Sequence, residues 1–474
     1  MAMIELSEDS DLSLVRQIVA QIKQLVDTEV LRPGSRVMSI RHFARDHGIS
    51  TYTVAEAYER LVADDYFRSL PRSGYFISPE RPETLRKRSA AEMAVSDTDA
   101  SRSAEHGWQL QSQVELPSMA LGVGGTALPS KWMEDDFIGS SLRAVAGTAN
   151  LLVTRQASPH GYAPLCDAVQ ARMEKIGVMA DSGNLVLTDG AVHGMDLLIR
   201  CFLKAGDCVL VEDPGYVQLF ASLRLHGVTA IPVRRLSDGP DLDQLDMLAR
   251  KCKPAMFFTQ SVLHDPTGSS TSPANAHRLL KLAELHGLHL VENDVFADLI
   301  GQHYPRLATL DQLDRVFYVG SFSEALPLAM RVGFIAGPAA AMQALRHQKL
   351  AAGITGSQID QRVMHLALTE GHYQRHVDRL RERLGNAMQH ASAMLSEHGM
   401  EIFCRAQGGK FLWVRAATVE DSTELAHQAA NENIFLAPGK VFRCQSEATA
   451  WFRFNIAYAR DPGVVRFISR LGRG

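Results

Sequence analysis

The sequence predicts an α/β protein with a mostly parallel sheet, preceded by a smaller helical unit. The first observation behind this prediction is that, from about Leu116 onward, short apolar runs alternate with stretches of helical periodicity. Buried strands separated by helices are typical of parallel sheets. The strand-like runs are LVL at 185–187, VLV at 209–211, AMFFT at 255–259, LHLV at 288–291 and VFYV at 316–319. The second observation is that composition changes twice along the chain.

The change of composition divides the chain into three segments. Residues 80–113 are rich in Ser, Ala, Asp, Glu and Arg and show little apolar periodicity, which is typical of a linker. We therefore expect a compact unit over 1–79, a linker over 80–113 and a large domain over 114–474. The chain has 46% hydrophobic and 22% charged residues, and this ordinary composition excludes a largely disordered or fibrous protein.

Net charge and cysteine spacing exclude several classes of function. The net charge of −4 predicts no general attraction to nucleic acid or membranes, so any DNA contact must come from a local surface. The six cysteines show no CxxC pair and no spacing typical of metal ligands, which predicts buried free thiols and no metal site. The N-terminus lacks a signal pattern and no apolar run approaches about 18 residues, so we expect a cytoplasmic protein.

Three helices and a hairpin are predicted in the first 79 residues. The stretch LSLVRQIVAQIKQLV carries one apolar stripe at helical spacing. Ser39 and Ser50 can cap two further helices, which are separated by a turn at Gly48. The runs YFRSL and YFI indicate two short strands around the turn PRSG. The order of helix, helix, helix and hairpin is that of a winged helix-turn-helix.

Short motifs in this unit carry a family resemblance. They are Pro33-Gly34, Ser39-Ile40-Arg41, the segment STYTV at 50–54 and the segment AYERL at 57–61. On these motifs the first unit resembles the GntR family of winged-helix transcription regulators, which implies binding to double-stranded DNA. Met38 stands where the family usually has proline, and Thr51 stands where an arginine usually meets DNA. The family's base preference therefore does not carry over, because threonine cannot make the bidentate contact of a guanidinium to guanine.

The third helix is expected to enter the major groove with its N-terminal side chains, while nearby arginines contact phosphates. The candidate DNA-contacting residues are Arg36, Ser39, Arg41, Ser50, Thr51, Tyr52, Thr53, Arg72 and Gly74, with Arg45 and Arg68 as further phosphate contacts. Residues 32–72 hold seven basic and five acidic residues. The hypothesis of DNA binding therefore rests on the pattern and not on charge.

The large domain carries a second set of motifs. Residues 187–198 predict a strand, a glycine turn and a helix start, whose backbone amides can bind a phosphate. Further motifs follow in order: EDPGY at 212–216, HDPTG at 264–268, ENDVF at 292–296, SFSE at 321–324, RVG at 331–333 and RFN at 453–455. These resemble the fold-type I, class I aminotransferases, which bind pyridoxal phosphate, and the whole chain is similar to the MocR subfamily of GntR-type regulators. The resemblance implies a smaller C-terminal α+β subdomain and a head-to-tail homodimer.

The resemblance also implies roles for individual residues. The phosphate is held by backbone amides, a hydroxyl and a charged fork, at Gly190, Ala191, Val192, Ser321 and Arg331. Tyr216 matches the aromatic residue that stacks on the pyridine ring. Arg453 matches the arginine that binds the α-carboxylate of a substrate bidentately.

Four positions around the ring depart from the family pattern. Asp265 replaces the asparagine that reaches the ring hydroxyl, and Phe296 replaces a tyrosine that contacts the same group. Asn293 stands where a carboxylate pairs with the pyridinium nitrogen, although Asp294 can substitute after a shift of one residue. The lysine that forms the Schiff base falls on Glu324.

The loss of this lysine predicts that no residue catalyses transamination. A carboxylate cannot form an imine with an aldehyde, and the lysine also moves the proton at the substrate's α-carbon. No lysine occurs between Lys281 and Lys349, and Lys410 and Lys440 lie in segments that the resemblance places elsewhere. We therefore expect pyridoxal phosphate, where it binds, to be held noncovalently.

Several functions stay open on the sequence. The main expectation is a homodimeric DNA-binding regulator that senses pyridoxal phosphate, a related phosphate ester, a preformed Schiff base with an amino acid, or a carboxylate ligand through Arg453. One alternative is a pyridoxal phosphate-dependent aminotransferase with an attached DNA-binding head. Another is a ligand-independent regulator whose large domain only dimerises. A single accidental change at Glu324 is a further alternative, against which stand the changes at Asp265, Asn293 and Phe296.

Overall fold

The structure is a computed structural model that describes residues 4, 13–27, 30–31, 34–64, 66–70, 73–78, 120–133, 137–147, 158–301, 304–326, 330–353 and 355–471. The chain divides into two compact units, Met1–Ala104 and Glu105–Gly474. This division falls within the linker predicted over 80–113, which lies outside the described residues, as does Arg72. The exact domain boundaries stay a prediction.

The first unit has the predicted order of elements. Its helices and strands are α1 (Leu14–Asp27), α2 (Ile40–Asp46), α3 (Thr51–Ala63), β1 (Phe67–Leu70) and β2 (Gly74–Ile77). The two strands pair antiparallel. Ser39 and Ser50 cap α2 and α3 as predicted, each through its side-chain oxygen. These caps satisfy backbone amides that a helix start leaves without an internal partner.

Tyr58 of α3 lies at the centre of the small core of this unit. Its side chain is fully buried, and its ring contacts that of Phe67 edge to face at 5.1 Å and that of Tyr75 at 5.2 Å. Its hydroxyl donates a hydrogen bond to the backbone carbonyl of Met38 at 3.1 Å. The hairpin is therefore fixed against the helix that precedes it.

The second unit alternates helices and strands, as the sequence predicts. Its helices are α4 (Ser130–Met133), α5 (Phe137–Gly147), α6 (Ala163–Lys175), α7 (Ala191–Phe202), α8 (Val217–Leu225), α9 (Leu242–Cys252), α10 (Pro273–His286), α11 (Leu307–Asp311), α12 (Ala339–Ala351), α13 (Gln358–Thr369), α14 (His372–Glu397), α15 (Ser422–Ala430) and α16 (Pro462–Leu471). Its strands are β3 (Leu185–Thr188), β4 (Cys208–Asp213), β5 (Thr229–Leu236), β6 (Gly239–Pro240), β7 (Met256–Thr259), β8 (His289–Asn293), β9 (Val316–Ser321), β10 (Gly333–Ala336), β11 (Met400–Ile402), β12 (Phe411–Ala416), β13 (Ala437–Pro438) and β14 (Trp451–Asn455).

An eight-stranded sheet with the order β3-β10-β9-β8-β7-β4-β5-β6 forms the centre of this unit. The pairs β9–β8, β8–β7, β7–β4 and β4–β5 are parallel, whereas β10 and β6 pair antiparallel with their neighbours. The prediction of a mostly parallel sheet is confirmed. The carboxyl ends of the parallel strands share one edge, where ligands bind in open α/β sheets.

A second, four-stranded antiparallel sheet with the order β11-β12-β14-β13 lies near the C-terminus. Strand β14 is largely buried, and the side chains of Phe452 and Phe454 are fully enclosed. Because consecutive strand residues face opposite sides, Arg453 between them points the other way. This sheet is the smaller C-terminal α+β subdomain that the resemblance implies.

The six cysteines are free, as predicted, but they are half-buried, so the prediction of buried thiols is wrong. Several lie at element ends, where packing is incomplete; Cys208 begins β4 and Cys252 ends α9. Burial raises the pKa of Cys166, Cys404 and Cys444 to about 11, so they stay protonated near neutral pH. In the described part of the chain, no helix is both long enough and apolar enough to cross a bilayer.

Candidate DNA-binding surface and ligand pocket

The N-terminus of α3 presents exposed polar side chains. Ser50 accepts a hydrogen bond from the backbone amide of Thr53 at 3.0 Å, and the two hydroxyls lie 2.7 Å apart. Thr51 and Tyr52 point outward, and the side chain of Tyr52 is 78% exposed. An exposed aromatic residue at a helix start, beside an exposed threonine, is suited to contact with base edges and sugar.

The predicted phosphate contacts lie in the same unit as this helix start. Arg36 is exposed, and its guanidinium lies 3.8 Å from the position that a Cβ on Gly74 would take in the hairpin. Arg41 and Arg68 are also exposed. Arg45 instead donates a hydrogen bond to the ring of His42 at 2.5 Å. The structure therefore brings the recognition helix and two elements with exposed arginines into one small unit.

In the second unit, the predicted phosphate position lies between β3 and α7. Gly190 adopts φ 89° and ψ 172°, and α7 begins at the next residue. A Cβ on Gly190 would lie 2.8 Å from the Nη2 atom of Arg331, so the guanidinium covers the turn closely. Ser321 ends β9 directly opposite Gly333 of β10. The amides of a twelve-residue helix, a hydroxyl and an exposed arginine thus converge, as an anion site requires.

Tyr216 and Asn293 mark the predicted ring position. Together with residues such as Phe258 and His264 they line a small cavity. Burial raises the pKa of Tyr216, and the carboxylates of Glu324 and Asp265 raise it further. The Oδ1 atom of Asn293 is buried and has no hydrogen-bond partner among the described residues. An orphaned polar atom in a cavity wall is available to a ligand.

Phe296 closes the same region with its ring. It contacts the ring of Phe411 nearly perpendicularly, with the centroids 5.8 Å apart. The Nζ atom of Lys410 lies 5.3 Å from both ring centroids. The tyrosine hydroxyl that the family has here is replaced by an apolar surface that supports an ammonium group.

The most unexpected contact of the pocket joins Lys410 and Glu324. The Nζ atom of Lys410 donates a hydrogen bond to the carboxylate of Glu324 at 2.5 Å and another to the backbone carbonyl of Thr126 at 2.7 Å. The lysine side chain is 1% exposed and the glutamate 17%. Lys410, whose segment the resemblance places elsewhere, therefore contacts residue 324 directly. Lys410 directly precedes β12 and reaches the pocket from the smaller sheet. Its separation from Glu324 along the chain gave no sign of this contact.

A second buried ion pair joins Arg453 and Asp265. The Nη1 atom of Arg453 donates to both carboxylate oxygens of Asp265, at 3.0 and 2.9 Å. The Nε and Nη2 atoms donate to the backbone carbonyl of Gly124, at 3.1 and 2.7 Å. The rings of Phe411 and Phe442 lie 4.3 and 4.7 Å from the guanidinium carbon. Two residues that the resemblance treats as separate ligand contacts are here each other's partner.

Asp294 does not lie at the ring position, which corrects the expectation of a one-residue shift. Its Oδ2 atom accepts hydrogen bonds from the Nε atom of Arg306 at 2.9 Å and the hydroxyl of Tyr318 at 2.8 Å. Asp294 lines another cavity, of about 540 Å³. The physical reason is the alternation of side chains along an extended chain, which sends neighbouring Asn293 and Asp294 to different sides.

Comparison with known proteins agrees with this geometry. Residues 148–471 match the family described as Aminotransferase class I and II, and residues 14–77 match Bacterial regulatory proteins, gntR family. The chain belongs to the aminotransferase class I and II family. Its N-terminal unit is a GntR-type DNA-binding domain, so the chain is a DNA-binding regulator with an aminotransferase-like domain. This combination is that of the MocR subfamily.

Relatives of both kinds are similar to this chain. It is 26% identical over 465 residues to the uncharacterized HTH-type transcriptional regulator YdcR of Escherichia coli (strain K12), covering 97% of this chain and 98% of that protein. It is 29% identical over 376 residues to the 2-aminoadipate transaminase of Thermus thermophilus, covering 77% and 92%. The crystal structure of LysN, an α-aminoadipate aminotransferase from Thermus thermophilus complexed with N-(5'-phosphopyridoxyl)-L-leucine, has a TM-score of 0.70 at 25% identity, covering 77% and 93%.

The described residues of this aminotransferase-like domain offer polar groups that suit the phosphate and the ring of pyridoxal phosphate, whereas residue 324 offers no covalent attachment. A Cβ at Gly190 would meet the guanidinium of Arg331, so glycine at this position lets the arginine lie against the helix start. The orphaned Oδ1 atom of Asn293 faces the position of the ring. Glu324 offers a carboxylate in place of an amine, and that carboxylate is already paired.

Sequence reasoning missed Lys410 and the carbonyls of Gly124 and Thr126. One signal was available for the lysine. A carboxylate at a buried ligand position needs a positive partner, and the segment GGKF places a lysine directly before a strand. No comparable signal marks a backbone carbonyl, because every residue has one.

Proposed function

We propose that this regulator binds a small ligand in the pocket of its aminotransferase-like domain, dimerises through that domain, and does not catalyse transamination. The observation that carries the proposal is the ion pair between Glu324 and Lys410 at the position of the family's lysine. The DNA-binding unit reads double-stranded DNA. The ligand is a phosphate ester such as pyridoxal phosphate, or an amino-acid or carboxylate effector.

The absence of catalysis follows from the chemistry of residue 324. Pyridoxal phosphate, when bound, supplies an aldehyde and an electron-withdrawing ring. Glu324 cannot donate an amine to that aldehyde and is held by Lys410, whose other contacts are a carbonyl and two aromatic rings. Asn293 is a neutral partner for a ring nitrogen and does not stabilise its protonated form as a carboxylate does.

Retained phosphate residues support ligand binding rather than a purely structural role. The positive φ of Gly190, the exposed side chain of Arg331 and the helix start at Ala191 form an arrangement that suits an anion, which supports binding of a phosphate group. For regulation, the ligand must bind two arrangements of the dimer with different affinity. The proposal also assigns Ser39, Arg41 and Thr53 to the DNA-binding surface, and it assigns Val192 to the phosphate site.

The decisive experiment compares absorbance from 300 to 500 nm of the full chain and of Glu324→Lys, each with added pyridoxal phosphate. Each sample is then reduced with borohydride and its intact mass measured. We expect the native chain to show only the free-aldehyde band and to gain no mass, whereas the variant is trapped. Trapping of the native chain, with Lys410 as the modified residue, would overturn noncovalent binding and restore the enzyme alternative.

A second measurement tests whether the bound ligand changes the affinity for DNA or whether the regulator acts independently of a ligand. DNA fragments selected for binding are titrated with the full chain, with and without pyridoxal phosphate, at fixed salt concentration. We expect the affinity for DNA to change by about tenfold, a coupling of about 1.4 kcal/mol. An unchanged DNA affinity, although the ligand binds, would support the alternative in which the large domain only dimerises.

A further inference from the structure

We propose that the carboxylate of Asp265 pairs with Arg453, the arginine that would otherwise bind the α-carboxylate of a ligand. The pocket therefore selects a phosphate ester and does not recognise a ligand α-carboxylate. The inference rests on the proposed ligand-binding function and narrows its ligand class. It concerns a specificity-determining residue and starts from the paired geometry of Asp265 and Arg453.

The hydrogen bonds of Arg453 leave little for an incoming carboxylate. One nitrogen of the guanidinium binds both oxygens of Asp265, and the other two bind the carbonyl of Gly124. Both partners of the ion pair are at most 2% exposed. Aromatic rings of Phe411 and Phe442 lie next to the guanidinium. A carboxylate of the protein itself therefore takes up one nitrogen of this buried guanidinium, and a backbone carbonyl takes up the other two.

The turn that carries Asp265 is held in place by further buried contacts. The backbone amide of Asp265 donates to the side-chain oxygen of Gln260 at 3.0 Å. The neighbouring His264 contacts Glu212 at 3.2 Å, and its backbone amide donates to the carbonyl of Ser269 at 2.8 Å. A carboxylate fixed in this way acts at a high effective concentration, because no translational freedom is lost when it meets the arginine.

An external carboxylate faces a double disadvantage at this site. It must compete with an internal group that is already positioned, and displacement would leave Asp265 buried without its counter-charge. By contrast, Arg331 at the phosphate position is exposed, and the amides at the start of α7 adjoin it. Charge recognition by this pocket is therefore directed to a phosphate group.

Two ligands that differ in an α-carboxylate test the inference with the full chain. They are pyridoxamine 5'-phosphate and N-(5'-phosphopyridoxyl)-L-leucine, and their Kd values are measured by calorimetry. We expect the native chain to bind the leucine derivative no more than about threefold better than pyridoxamine phosphate. In Asp265→Asn, the leucine derivative should gain about tenfold or more, because Arg453 becomes available.

Asp265→Ala serves as a second variant. The ratio of the two Kd values in the native chain tests the inference even where a variant fails to fold. Asn293→Asp is the matched control, because it alters a ring contact and should change both affinities by the same factor. A native preference of tenfold or more for the leucine derivative would overturn the inference, as would an unchanged ratio in folded Asp265→Asn. Binding of neither ligand would overturn the inference together with the proposed phosphate site, whereas binding without an effect on DNA affinity would overturn only sensing.

Discussion

The ammonium of Lys410 and the carboxylate of Glu324 lie 2.5 Å apart although 86 positions separate them in the chain. Glu324 follows the central sheet, and Lys410 directly precedes β12 of the smaller sheet. The pair of Arg453 and Asp265 joins the same two sheets. Two ion pairs, one fully buried and one partly exposed at Glu324, therefore lie in the pocket where the aminotransferase family uses a lysine, an asparagine and a substrate.

Loss of Lys410 is expected to destabilise the large domain. In Lys410→Met, the free energy of unfolding should fall by about 2–4 kcal/mol, because Glu324 keeps its charge without a partner. The double variant with Glu324→Leu should recover most of this loss. Denaturation followed by tryptophan fluorescence reports on this domain, since all four tryptophans follow residue 104. The exposed pair Arg415–Glu401 is the control, with an expected coupling below about 1 kcal/mol. A coupling that small for Lys410 and Glu324 would contradict the prediction.

A side chain at Gly190 is expected to abolish phosphate binding. In Gly190→Ala, the new Cβ would lie 2.8 Å from Arg331 and would force the guanidinium away. Affinity for pyridoxal phosphate, measured by calorimetry, should fall about a hundredfold. Gly206→Ala is a matched control, because Gly206 has φ 92° and nothing within 4 Å of its Cβ position. It should lose about 1–2 kcal/mol of stability and keep its phosphate affinity. Equal loss of binding in both variants would assign the effect to backbone strain alone.

Arg36 and Tyr52 are expected to contribute to DNA binding in different ways. Arg36→Ala should reduce the slope of log K against log salt by about 0.9, as loss of one phosphate contact does. Tyr52→Ala should weaken binding to selected DNA by about 1–3 kcal/mol and leave nonspecific binding nearly unchanged. Binding is measured by fluorescence anisotropy at several salt concentrations. Arg250→Ala, in the large domain, is the control. An unaltered salt slope in Arg36→Ala would place this arginine outside the DNA interface.

Stability should rise with pH above about 8 because of Lys349. Burial lowers the pKa of this lysine to about 8, and its ammonium donates to the carbonyl of Leu187 at 2.7 Å. Between that value and the ordinary 10.5, the native state binds fewer protons than the unfolded state. The group's contribution is therefore lost as pH falls through about 8 and is fully present above 10.5.

The measurement compares the native chain with Lys349→Met by urea denaturation between about pH 7.5 and 9.5. The stability difference between them should change in favour of the native chain by up to about 1.4 kcal/mol per pH unit. Lys204→Met replaces an exposed lysine and should give a curve parallel to that of the native chain. A pH-independent difference for Lys349→Met would show that this lysine keeps its proton on folding.

Local signals in the sequence determined much of the fold. The apolar stripe of α1, the caps at Ser39 and Ser50 and the buried strand runs are patterns of neighbouring residues, and periodicity alone reveals them. The turn at Gly190 was likewise visible, because a glycine between a strand and a helix is a local feature. The motif SFSE at 321–324 also showed that a glutamate stands where the family has its lysine.

Tertiary structure alone decided which charges meet in the pocket. Lys410 reaches Glu324, and Asp265 reaches Arg453, because the end of one sheet faces the strands of another. Asp294 faces away from the ring position because side chains alternate along an extended chain, whatever the spacing of the motif allows. Sequence spacing specifies neighbours within an element, whereas the partner of a buried charge depends on packing between elements distant in the chain.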